Sequence, residues 1–128
     1  MPSSDPLAVA TGSLRLASGL SFIVAPQAAS RIWGSDPDGN PTAALLLRSM
    51  GYRDALIGGM LLRAGLRGDP STAGWFLASG GADASDLLGS LANHDRLPRR
   101  AQTVGIAGAV VGIAMGLAGA ARAARMRP

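Results

Sequence analysis

The chain has 128 residues, of which 48% are hydrophobic and 16% charged, and its formal net charge is +4. All 12 basic residues are Arg, all 8 acidic residues are Asp, and there is no Cys. This excludes a disulfide framework and any Cys-based metal or redox centre, argues against disorder, and fits one domain.

The start, Met-Pro-Ser-Ser-Asp, lacks the basic region of a signal peptide, and the first apolar run carries Arg15 in its middle. Helix one, expected over 6–25, therefore reads as a retained span. Residues 27–34 follow, with Arg31, Ile32 and Trp33. Arg and Trp suit the headgroup zone of a bilayer, so a short interfacial segment with Arg31 and Trp33 as anchors is expected there. Helix two is expected over 41–66 and helix three over 70–92, with Trp75 near its start as an anchor at the opposite interface. Helix four is expected over 98–122, because the run 101–121 has no charge and is long enough to span a bilayer alone.

The prolines support this division. Pro6, Pro26, Pro37, Pro41, Pro70 and Pro98 all fall at or between the ends of these stretches. Asp5-Pro6, Asn40-Pro41 and Asp69-Pro70 repeat one start signal, in which an Asx side chain caps free amides and Pro takes the first helical position. The expectation is an all-α fold, a bundle of four transmembrane helices in a single domain over 1–128. A soluble Ala-rich bundle is the alternative, but helix four offers no polar face for it. A nucleic-acid interface is not expected despite the basic charge, because the Arg residues form no single face and aromatic residues are only 4%.

Small residues recur at four-residue spacing. Gly108, Gly112, Gly116 and Ala120 form one row in helix four, with Ala101, Gly105 and Ala109 beside it. Gly74, Ala78 and Ala82 repeat the pattern in helix three, and Gly51, Ala55 and Gly59 in helix two. In lipid, helices associate through close backbone approach, so such rows mark contact faces. The face Gly105, Gly108, Gly112 and Gly116 serves either packing within the bundle or contact with a second copy or a larger membrane complex.

Six charges lie inside the apolar stretches: Arg15, Arg48, Arg53, Asp54, Asp83 and Asp86. Each costs about 2.5–3.5 kcal/mol near mid-bilayer unless it faces the bundle interior and pairs. Helical rise, alternating direction and centred spans match them in depth as Arg15 with Asp54, Arg53 with Asp83, and Arg48 with Asp86. Arg48 and Arg53 are about 140° apart on a helix and cannot both point at helix three, so Arg48 is free to snorkel instead. The network either fixes helix register or lines a polar path for an ion or proton.

No catalytic constellation is present. His94 is the single His and sits in a polar loop, Ser79-Gly80-Gly81 lacks the strand and Lys of a phosphate loop, and Asp83 with Asp86 alone makes a weak metal signal. No enzyme activity, metal or cofactor is expected.

The order Ala-Ser-Arg-Ile-Trp-Gly after helix one, Gly51-x-Arg53-Asp54 in helix two, Asp83-x-x-Asp86 in helix three and Leu97-Pro98-Arg99-Arg100 before helix four resembles a family of small four-helix bacterial membrane proteins, common in actinobacteria and classed as a domain of unknown function. The resemblance implies an integral membrane protein and brings no reaction with it. The expected function is a non-enzymatic structural or accessory component of the bacterial plasma membrane. A small transporter or ion pathway is the alternative, and a soluble helical binding domain is weaker. The Arg-rich end of the sequence leans towards both termini being cytoplasmic.

Overall fold

The computed structural model describes residues 3–32 and 41–126. The described residues form five α-helices and no strand: α1 (Pro6–Val24), α2 (Pro26–Ile32), α3 (Pro41–Arg67), α4 (Thr72–Ala92) and α5 (Arg99–Arg125), with a 3-10 turn at His94–Arg96. The fold is all-α. Two helices, α1 and α5, are long and apolar enough to cross a membrane. Helices α3 and α4 have the length, at 27 and 21 residues, but their charges and polar side chains keep them below the same standard.

The helix ends follow from local chemistry. The Asp5 carboxylate accepts from the backbone N–H groups of Leu7 and Ala8 at 3.0 and 3.3 Å, and Pro6 takes the first helical position. Pro26 has no N–H to continue α1, so the chain breaks at Ala25 and restarts as α2. The end of α3 is a Schellman turn. Gly68 adopts φ 60°, its N–H reaches the Gly65 carbonyl at 3.4 Å, and the Asp69 N–H reaches the Ala64 carbonyl at 2.9 Å.

That turn corrects one expected boundary. Asp69-Pro70 does not open α4 as Asp5-Pro6 opens α1, and the helix starts two residues later at Thr72. The Asp69 carboxylate accepts from the Ser71 N–H at 2.8 Å, and the Thr72 hydroxyl donates to the Asp69 carbonyl at 2.7 Å. The turn uses the capping group before the helix can. The Ser71 amide also holds the Asp69 carboxyl below its usual range. The cap expected at Asn40 and the anchor expected at Trp33 lie outside the described residues.

Helix α1 packs along α3, and α4 along α5; the two pairs meet along a sparser seam. Both pairs are antiparallel and are closed by glycine. In the first, Gly12 and Gly19 of α1 face Gly58 and Gly51 of α3, and Gly65 backs onto Ala8. These glycines repeat every seven residues, which keeps one face aligned along a supercoiled pair. A Cβ on Gly12 would lie 2.8 Å from the Gly58 carbonyl oxygen, and one on Gly58 would lie 2.8 Å from that of Gly12. In the second pair, a Cβ on Gly116 would lie 2.8 Å from the Gly80 Cα, and Gly119 takes the Phe76 ring.

The largest fully buried side chains, Phe76 and Leu61, join Ala8, Ala120 and Ala123 in a small core at one end, where all four long helices meet. Elsewhere Phe22 of α1 is also buried, but the rest of the interior is mostly Gly, Ala and polar groups, and most large apolar side chains point outward. Leu14, Val24 and Leu88 are 74%, 79% and 69% exposed, and Leu45, Leu46, Val111 and Leu117 follow them. So many outward-facing large apolar side chains are unusual for a water-soluble domain.

Candidate functional site

The seam between the two helix pairs is where the expected charges meet. Arg15 projects from the middle of α1 and donates to two carboxylates: Asp54 of α3 at 3.0 Å and Asp83 of α4. Arg53 of α3 forks onto Asp86 of α4, with its two terminal nitrogens 3.0 and 2.9 Å from the two carboxylate oxygens. Its Nε also donates to Asp54 at 3.1 Å. Asp54 thus receives both guanidinium groups. The side chains of Arg15, Asp54 and Asp83 are only 12–14% exposed, and those of Arg53 and Asp86 are 32% and 39% exposed.

Five of the six expected residues therefore converge: Arg15, Arg53, Asp54, Asp83 and Asp86. The pairing expected from depth differs from the one observed. Arg15 does meet Asp54, but Arg53 meets Asp86 rather than Asp83, and Arg15 takes Asp83 as well. Arg48 meets neither acid; its Nε donates to the Ile23 carbonyl at the end of α1, at 3.3 Å. The cause is angular. With Arg53 turned towards α4, Arg48 points about 140° away. Depth matching treats residues as points on an axis, whereas a long Arg side chain reaches about one helical turn along its neighbour.

The glycines of α5 fall on the same seam. A Cβ on Gly112 would lie 2.5 Å from the Asp83 carboxylate carbon, so the missing side chain is the space the carboxylate occupies. Gly105 faces the Ser90 hydroxyl and Gly116 faces Gly80, while Gly108 is half-buried. The row Gly105, Gly112 and Gly116 is used in packing α5 on α4. The glycines that meet no neighbour are instead Gly74, Gly81 and Gly89 of α4, where an added Cβ would have nothing within 4 Å.

A second polar junction was not expected from the sequence. Asp5, 5% exposed, caps α1, accepts from Arg122 of α5 at 2.5 Å, and donates its backbone N–H to the Gly65 carbonyl of α3 at 2.8 Å. One residue thereby ties three helices. Its capping role is legible in Asp5-Pro6, but the partner is 117 residues away and reads as tail charge.

At the same end, Trp75 is half-buried against the Phe76–Leu61 core. It lines a cleft of about 230 Å³ with Met60, Arg63, Ala64, Arg67, Asp69 and Ser71. Arg31 is exposed in the last turn of α2. No group of three or more metal-ligating side chains comes together among the described residues.

The arrangement is a charged clamp. Arg15 and Arg53 carry permanent planar charge, and a forked guanidinium meets a carboxylate with two parallel hydrogen bonds. Every buried side-chain nitrogen and oxygen among the described residues has a partner. No curated protein and no solved structure matches the chain. A family model covers residues 12–120, a stretch holding every residue of the Arg/Asp cluster, and by that match the chain belongs to the family described as Domain of unknown function (DUF4267).

Proposed function

We propose that the protein is a small integral membrane protein in which α1, α3, α4 and α5 all cross the bilayer and α2 lies at the interface. Its role is non-enzymatic, as a structural or accessory component of a bacterial plasma membrane. One observation carries this reading: apart from Phe22, Leu61 and Phe76, most large apolar side chains face outward, while glycine, alanine and ion pairs fill much of the interior. Water would penalise that distribution, and lipid removes the penalty. The charges that keep α3 and α4 below the apolarity of a span lie mostly in the cluster, where each meets an opposite charge.

Direct Arg–Asp contacts support a structural use of the cluster, since they hold two glycine-packed pairs in register. Because α5 spends its glycine row inside the chain, contact with a second copy or a larger complex falls to the outward face of α4 around Gly74, Gly81 and Gly89. Arg63, Arg67 and Arg125 stand at the end that also holds the start of α1, and the Arg-rich end of the sequence favours placing it in the cytoplasm.

Carbonate washing of membranes tests the reading first. Retention in the pellet is expected, and release into the supernatant would sink it. Affinity capture in mild detergent then separates an accessory subunit, which brings a stoichiometric partner, from a self-associating protein.

A second reading, a small proton or ion pathway, is favoured by one feature. The cluster holds three carboxylates and two guanidinium groups, so its charges do not cancel. Proteoliposomes that show no flux beyond empty vesicles would remove it.

A further inference from the structure

We infer that the Arg/Asp cluster binds one exchangeable proton per chain, carried by the Asp83 carboxyl. The inference rests on the membrane reading above and adds to it a specific occupant.

By sequence the six intramembrane charges balance. By structure they do not, because Arg48 leaves the set for the Ile23 carbonyl. Arg15 and Arg53 then face Asp54, Asp83 and Asp86. An uncompensated charge between apolar helices is expensive, and a carboxylate relieves it by taking a proton.

The partners choose the carrier. Asp54 accepts from both guanidinium groups. Asp86 receives the whole fork of Arg53. Asp83 has one nitrogen of Arg15, and shares that guanidinium with Asp54. Four helices surround it. Helix α1 offers Arg15, α3 offers Arg53 and Asp54, and α4 itself offers Asp86 one turn on. Helix α5 offers the bare backbone of Gly112 and has no charged residue between Arg100 and Arg122. Asp83 is therefore the acid with the weakest hold on its negative charge. The proton comes from water and sits on Oδ1, which leaves Oδ2 to accept from Arg15.

Because the three carboxylates share two cations, the proton belongs to the cluster as a unit. Removing any one negative charge should abolish the need for it. Asp83→Asn, Asp54→Asn and Asp86→Asn should each release the proton, whereas Asp69→Asn, in the exposed turn, should not.

The test is infrared spectroscopy of the full chain in mild detergent, with isotope-labelled Asp to identify the carboxyl stretch. At neutral pH the wild type should show one protonated Asp per chain, and the band should vanish completely in Asp83→Asn and in Asp86→Asn. The band should persist in Asp69→Asn. A folded wild type with every Asp ionised at neutral pH overturns the proposal, as does a band that survives in the cluster variants. Using Asp86→Asn beside Asp83→Asn keeps the test decisive if one of them fails to fold. Carbonate washing reports separately on the membrane reading, so the two failures are distinguishable.

Discussion

Gly19 of α1 and Gly51 of α3 meet backbone to backbone: a Cβ on Gly51 would lie 2.6 Å from the Gly19 carbonyl oxygen, and one on Gly19 would lie 2.5 Å from that of Gly51. Neither side can yield, since the obstacle is main chain in both directions. The seven-residue repeat through Gly12, Gly19, Gly51, Gly58 and Gly65 carries this close approach along the length of the pair.

Gly19→Ala and Gly51→Ala should each destabilise the fold by about 1–3 kcal/mol, the range for overpacking a tight contact. Gly81→Ala is the control. Its added methyl meets nothing within 4 Å, so it should be neutral or slightly favourable. Unfolding in mixed micelles, followed by circular dichroism, measures both. Equal losses in all three would mean that α1 and α3 do not approach as described.

Gly112 makes room for a charge rather than for a backbone. Gly112→Ala should displace the Asp83 carboxylate and cost about 1–3 kcal/mol in the wild type. In an Asp83→Ala background the same change should cost clearly less, because the obstructing group is gone. Additive losses in the double variant would separate Gly112 from Asp83.

The pairing of Arg53 with Asp86 makes a prediction that depth matching does not. A double-mutant cycle of Arg53→Gln and Asp86→Asn should give a coupling above about 0.5 kcal/mol, the threshold that separates contacting from independent sites. The cycle of Arg48→Gln with Asp86→Asn should fall below it, since Arg48 contacts the Ile23 carbonyl. Arg48→Gln alone should cost about 0.5–1.5 kcal/mol, the range of one hydrogen bond. Arg15→Gln, which strips two partly buried carboxylates, should cost more, towards the ~3–5 kcal/mol of a broken buried pair.

Asp5 combines a cap with an ion pair, and the two can be separated. Asp5→Asn keeps an oxygen for the Leu7 and Ala8 amides and loses the charge facing Arg122, whereas Asp5→Ala loses both. Asp5→Ala should therefore be the more destabilising, with the cap accounting for about 0.5–2 kcal/mol of the difference. Arg122→Gln should match Asp5→Asn in thermal unfolding. A much smaller effect would place the Arg122 contact outside the folding energetics.

Helix positions were legible wherever local chemistry sets them. Proline and Asx at the start of α1 and the uncharged run of α5 needed no tertiary information. The start of α4 was misplaced because Asp69 can cap a helix or close a turn, and only the Gly68 reversal decides between them. The Arg/Asp set was legible as a set, because charges inside apolar runs must find partners. The partners were not, because they depend on rotation about each helix axis and on side-chain reach. The Asp5–Arg122 junction was invisible for a simpler reason: nothing local links residues at opposite ends of the chain.

The sequence by itself determined that this chain is helical, that its long helices are bounded by proline, and that Arg and Asp inside them must be neutralised. These follow from backbone geometry and from the cost of charge beside apolar surface, both of which act residue by residue. Tertiary structure alone decided that the glycines of α1 and α3 close one pair, that α5 spends its glycines on α4 and Asp83, and that Arg48 leaves the cluster. Those outcomes turn on the angle at which each helix presents its side chains, a quantity fixed only when the helices pack. The departure of Arg48 converts a balanced set of six into a cluster of five with one negative charge to spare.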